Sequence, residues 1–123
     1  MYRDVLSNLI ITKIHSVSTI YTEKNTRAER VSRPCWGIII KFEGETRYEN
    51  GGKTFVSNRN NMVILPKGSS YSWCCTKSGH YSVIEFDSDL EYDSILGFSV
   101  KNTDKILEIF KELEYKRTVK KPM

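Results

Sequence analysis

From Cys35 to Asp87 apolar and polar residues alternate with a period close to two, and the runs are separated by short clusters of turn residues. In "CWGIIIKFEGE" Ile38, Ile40 and Phe42 fall on one face of an extended chain, and Gly44 with Glu45 marks a break. "TRYE" and "KTFVS" flank "NGG", Asn50 to Gly52. Asn-Gly between two such runs predicts a β-hairpin, because both central residues of a type I′ turn need positive φ. "NMVILP" predicts a strand ended by Pro66 and Gly68. In "SYSWCCT" Tyr71, Trp73 and Cys75 share one face and Ser70, Ser72 and Cys74 the other. In "YSVIEFD" Val83 and Glu85 share one face, Ile84 and Phe86 the other. Short strands at this spacing, joined by turn chemistry, predict an antiparallel barrel or sandwich.

The flanks read differently. Met1 to Ile14 fits either a short amphipathic helix or an extended arm leading into the strand "KIHSVSTIYT". Glu23 to Arg33 has no large apolar residue except Val31 and reads as an exposed loop. "DSDLEYDSILGFSVKN", from Asp87 to Asn102, reads as an acidic connector. "TDKILEIFKELEYKR" then places Ile106, Ile109, Phe110 and Leu113 at helical i, i+3, i+4, i+7 spacing, with Thr103 as N-cap and Asp104 at the favourable end of the helix dipole. The expected organisation is a β barrel with its arm over residues 1–100 and a terminal amphipathic helix over 101–123.

Composition narrows the function classes. A chain of 123 residues is long enough for one core and short for two. The net charge of +4 suggests nucleic acid, but residues 101–123 hold seven Lys or Arg against four Asp or Glu, which leaves a single net positive charge for residues 1–100. A barrel that itself gripped phosphates would carry a basic stripe on its body. No run is apolar enough to cross a bilayer and the first residues carry no cleavage signal, so a cytoplasmic protein is expected. Cys35, Cys74 and Cys75 are odd in number, and Cys74 and Cys75 point to opposite faces of one strand, so reduced thiols are expected. Histidine is limited to His15 and His80, and a mononuclear metal centre would have to use both. No phosphate loop, dinucleotide fingerprint, nucleophile elbow or H-E-x-x-H occurs.

The phrases "FEGETRYENGGK", "NNMVILPKGSSYSW" and "YSVIEF" resemble the sensor domain of AraC-type transcriptional regulators, which is a cupin barrel, and the terminal helix matches that family's helix after the barrel. Cupins in general carry two motifs whose histidines and glutamate bind a metal. Aligned on Pro66 and Gly68, the second motif, G-x5-P-x-G-x2-H-x3-N, places Asn60 at its glycine, Tyr71 at its histidine and Cys75 at its asparagine. Aligned on Gly44, the first places Gly37 at its glutamate and, with the shorter spacing, Val31 and Arg33 at its histidines. The resemblance therefore implies a jelly-roll barrel that keeps the turn and lacks the metal ligands. No cofactor or metal is expected.

A barrel mouth suits a small molecule, and the residues expected to line it are Arg33, Tyr48, Tyr71, Trp73 and Glu85, a set matched to a sugar or another small polar metabolite. Taken singly, each aromatic among them is more often plain core, and Trp36 and Phe42 are assigned to core. His80 and Glu85 sit on opposite faces of one strand and make poor catalytic partners. The resemblance implies an effector-binding and dimerisation domain, with Ile106, Ile109, Phe110 and Leu113 available to dock on the barrel or to meet a second copy. In the family DNA is read by a following module of two helix-turn-helix units, and nothing after Lys116 encodes one. The alternative is a small stand-alone cupin enzyme, an isomerase or a dioxygenase, which would need a metal.

Overall fold

The computed structural model describes residues 8–101. Among them are nine strands: β1 (Lys13–Thr22), β2 (Arg27–Arg30), β3 (Trp36–Lys41), β4 (Glu45–Asn50), β5 (Lys53–Ser57), β6 (Asn61–Leu65), β7 (Tyr71–Lys77), β8 (Gly79–Asp87) and β9 (Leu96–Ser99). All pairings are antiparallel. They form a five-stranded sheet in the order β1-β8-β3-β6-β9 and a four-stranded sheet in the order β2-β7-β4-β5. Strands 1-8-3-6 facing 2-7-4-5 is the jelly-roll order of two interlocked Greek keys, and β9 extends the first sheet past β6. The expected cupin-like β fold is the fold observed.

Three local expectations are corrected. The segment read as an exposed loop contains β2, all four residues of which are exposed; it pairs with β7 from Arg27↔Cys74 to Arg30↔Tyr71. Backbone pairing and a contact of Arg27 Nη2 with Cys74 Sγ (3.7 Å) hold it, so it carries no hydrophobic alternation to announce it. The segment read as a connector contains β9, whose Leu96 is fully buried and pairs with Ile64. In the hairpin Asn50 pairs with Lys53, so the two central residues are Gly51 (φ 57°) and Gly52 (φ 81°), one position later than an Asn-Gly turn would place them. The terminal helix, with Ile106, Ile109, Phe110 and Leu113, lies outside the described residues, as does most of the segment preceding β1.

The five-stranded sheet has two faces with different chemistry. Trp36, Ile38 and Ile40 of β3 stand beside Phe86, Ile84, Ile64 and Met62 of its neighbours, and Val17 and Leu96 complete this outer row. Trp36 and Phe86 are fully buried with ring centroids 6.0 Å apart; Phe42 is half-buried against the same cluster. The intervening residues, Ile39, Val63, Leu65 and Val83, face the four-stranded sheet and pack against Tyr48 and Tyr71. A bulge between Ile14 and Ser16 changes the face of β1, so that Ile14 joins the outer apolar cluster while Ser16 reaches Glu85.

Candidate functional site

Between the inner faces of the two sheets lies a cavity of about 270 Å³. Larger hollows occur over the outer face of β2, β7 and β4, beside residues 88–93 and beside the β4–β5 hairpin, but none is lined by a buried charged side chain. The cavity brings together all five residues nominated from the sequence: Arg33, Tyr48, Tyr71, Trp73 and Glu85. Trp73 and Tyr71 come from β7, Tyr48 from β4, Glu85 from β8, and Arg33 from the connector between β2 and β3.

Arg33 is the centre of this arrangement. Its side chain is only 5% exposed, although it lies in a segment whose composition suggested an exposed loop. The reason is the turn after β6. Arg33 N–H donates to the Ser69 carbonyl (2.9 Å), Gly68 N–H donates to the Arg33 carbonyl (2.7 Å), and Ser32 N–H donates to Ser70 Oγ (2.9 Å). The conformation of this turn is set by Pro66, by Gly68 at φ 86° and by Ser69 Oγ donating to the Pro66 carbonyl (2.6 Å). The "PKGSS" turn, retained without the metal ligands, thus clamps the backbone that carries the arginine inward.

The guanidinium then links the two sheets. Nη1 donates to the Tyr71 hydroxyl (3.1 Å) on the four-stranded sheet, and Nη2 donates to Glu85 Oε2 (2.9 Å) on the five-stranded sheet. Glu85 Oε1 accepts from Ser16 Oγ (3.0 Å), while Arg33 Nε is buried with no hydrogen-bond partner. The group lies against β3 at Gly37, where an added Cβ would stand 2.5 Å from Nη2. A side chain at position 37 would push the guanidinium aside. Of the positions that the cupin motifs assign to metal ligands, Arg33, Gly37 and Tyr71 converge here, whereas Val31 is 79% exposed.

The rest of the wall divides by chemistry. Tyr48 meets Tyr71 edge to face at 5.7 Å, and burial pushes the Tyr48 hydroxyl far above the ordinary phenol range. Burial also raises Tyr81, with the Glu85 carboxylate adding to the shift. The phenols of Tyr48 and Tyr81 therefore stay neutral beyond the ordinary phenol range. Ile20, Ile39, Leu65 and Val83 make the apolar part, and Arg30 stands at the exposed rim. Sequence reading missed Arg30, Tyr81 and the β1 residues Ser18, Ile20 and Thr22. Period-two spacing from Val83 and Glu85 picks out Tyr81, and the same spacing picks out alternate positions of "KIHSVSTIYT". Nothing in the sequence brings Arg30 in, since only its pairing with Tyr71 does so.

Beyond the cavity lining on the same face of β3 sits Lys41, fully buried. Its Nζ donates to the Gly79 carbonyl (3.1 Å) and lies 5.6 Å from the Tyr81 ring centroid, and burial lowers its pKa. The two histidines lie outside the lining. His15 pairs with Asp87 at 2.7 Å; His80 pairs with Glu43, stacks on Phe42 and meets Tyr21 edge to face. His80 and Glu85 are on opposite faces of β8, as the alternation requires. Among the described residues no three His, Cys, Asp or Glu side chains are grouped as a metal site, and no helix is long and apolar enough to cross a membrane.

No family model matches the chain. No curated protein matches it either. Solved structures do. ToxT from Vibrio cholerae O395 superposes with a TM-score of 0.63 at 12% identity, over 81% of this chain and 46% of ToxT. ToxT from strain SCE256 with an unsaturated fatty acid bound gives 0.60 at 14% identity, over 85% of this chain and 46% of that one. An apo ToxT variant from the same strain gives 0.61 at 13%, over 78% and 46%. The fold is shared. This chain spans under half the length of the ToxT structures.

Proposed function

We propose that the chain is the effector-binding and dimerisation portion of an AraC-type transcriptional regulator in the cytoplasm, taking a small polar molecule into the cavity between its sheets without a metal. The observation that carries this reading is the position of Arg33. A buried cation with one unsatisfied donor stands in a cavity that combines an apolar wall with a few polar groups, Glu85 and the phenols among them, which is the composition of a small-molecule site. The jelly-roll likeness to a regulator supports the class, and the fatty acid bound to one ToxT structure supports small-molecule binding in a general way.

Because Arg33 ties Tyr71 on one sheet to Glu85 on the other, a ligand that bonds the guanidinium changes how the sheets are tied. Coupling to DNA requires that the ligand favour one such arrangement over another. Ile106, Ile109, Phe110 and Leu113 are the residues proposed to pack against the barrel or against a second copy, and DNA would be read by a module outside this chain.

The test is a metabolite screen by thermal shift, followed by calorimetry and elemental analysis of the purified chain. A small-molecule hit whose binding is weakened by Arg33→Met and Tyr71→Phe, in metal-free protein, is the expected result. Stoichiometric iron, zinc or manganese, with turnover abolished by a chelator, would replace this reading with the enzyme.

A further inference from the structure

The geometry points to a particular ligand chemistry for the cavity: a compact organic carboxylate whose head group replaces Glu85 on Arg33. This rests on the effector reading and narrows it, because a neutral sugar offers the guanidinium no counter-charge.

The lining carries Arg30 and Arg33 against Glu85 alone, an excess of one positive charge. Nε and Nη2 form the guanidinium edge that takes a carboxylate through two parallel hydrogen bonds. Glu85 uses only half of that edge. Its Oε2 accepts from Nη2, its Oε1 is turned to Ser16 on β1, and Nε is left buried and unmet. The internal carboxylate is divided between Ser16 of β1 and Arg33 of the β2–β3 connector, and at 39% exposed it has water to move into. Arg33 has no such freedom. At 5% exposed it is held by Tyr71, by the turn at Ser69 and by the backbone at Gly37. The mobile partner of the pair is the acid, so an incoming carboxylate that satisfies both Nε and Nη2 displaces Glu85 and keeps the arginine in place.

The body of the ligand follows from the remaining wall. Ile20, Ile39, Leu65 and Val83 with the Trp73 ring offer an apolar surface. A volume of about 270 Å³ lies just below the roughly 300 Å³ at which drug-sized sites begin, which selects a compact molecule. Arg30, exposed at the rim, adds attraction for an anion on its way in.

Calorimetric titration of the 123-residue chain with phenylacetate, 2-phenylethanol, phenyl phosphate and D-glucose at millimolar concentration tests this. Phenylacetate is expected to bind about tenfold or more tightly than 2-phenylethanol, the ratio that a hydrogen bond to a charged group supports. Glu85→Gln should tighten phenylacetate by removing the competitor. Arg33→Met should erase the preference over the alcohol. Arg30→Gln, at an exposed position that leaves folding unchanged, should weaken phenylacetate several-fold and leave 2-phenylethanol unaltered. Equal or tighter binding of the alcohol or of glucose, or weaker phenylacetate binding in Glu85→Gln, overturns the carboxylate assignment while the effector reading stands. Tighter binding of phenyl phosphate assigns the site to phosphate monoesters instead and overturns the carboxylate. If none of the four binds and a broad metabolite screen also finds nothing, both readings fall.

Discussion

The two faces of the five-stranded sheet are built from neighbouring residues of the same strands, and they differ in where buried charge is placed. On the outer face Trp36, Phe86, Ile40, Ile64, Ile84 and Leu96 form a cluster with no charged member. On the inner face of the same strands Glu85 and Lys41 stand among Ile39, Val63 and Val83, and Arg33 lies against the backbone at Gly37. Hydrophobic burial needs only the first kind of face. Buried cations and phenols cost free energy unless each finds a partner, so their concentration on one face, around a cavity, marks where the fold serves something besides its own stability. Position parity along a strand thus separates scaffold from site.

The largest effect should come from the outer face. Phe86→Ala removes a fully buried ring stacked on Trp36 and should cost about 3–5 kcal/mol of stability by urea denaturation. A loss below about 1 kcal/mol would show that the outer cluster is not the core. On the inner face Arg33→Met should cost roughly 1–3 kcal/mol, since it breaks the hydrogen bonds to Tyr71 and Glu85, while abolishing the response to a bound effector. If stability falls as far as in Phe86→Ala, the distinction between the faces fails.

Lys41 gives a third, smaller contrast. Its burial disfavours the ammonium in the folded state, so Lys41→Met should leave stability within about 1 kcal/mol of the parent or raise it at neutral pH. The sign has a pH signature. A lysine whose folded pKa is lowered below its ordinary 10.5 leaves the unfolded chain holding the extra proton, so its contribution to stability rises with pH up to about that value and the gain from Lys41→Met shrinks there. Tyr48 runs the opposite way. Its folded pKa lies far above the ordinary 10.0, so stability is intact below pH 10 and falls above it as the unfolded phenol ionises; Tyr48→Phe should flatten that alkaline fall in a denaturation series across pH 10. The smallest change is expected for Val31→Ser, in the exposed connector, at within about 0.5 kcal/mol.

Most of this division is legible in the amino-acid sequence alone. Ile38, Ile40 and Phe42 on one side of their strand, and Val83 and Glu85 opposite Ile84 and Phe86, follow from a period of two, and the structure places them so. The five nominated cavity residues also meet in space. What escaped had no periodic signal to offer. β2 is exposed along its whole length and exists because its backbone pairs with β7; β9 is four residues long inside an acidic stretch. Arg30 entered the site through that unseen pairing. The burial of Arg33 depends on long-range hydrogen bonds to residues 68–70, which no local window contains. The hairpin shifted by one residue because two consecutive glycines accept positive φ more readily than Asn50 does.

One feature of the chain path sets how the container can breathe. A single residue, Ser78, joins β7 of one sheet to β8 of the other, so at that end the walls are stitched together and cannot part. Tyr71 and Glu85 stand toward the far ends of these same two strands, where the residue 31–35 and 66–70 connectors also cross between the sheets, and the guanidinium braces the gap between them. The walls are thus tied by covalent chain at both ends, and a ligand that takes the guanidinium loosens a brace between them rather than swinging one wall away from the other.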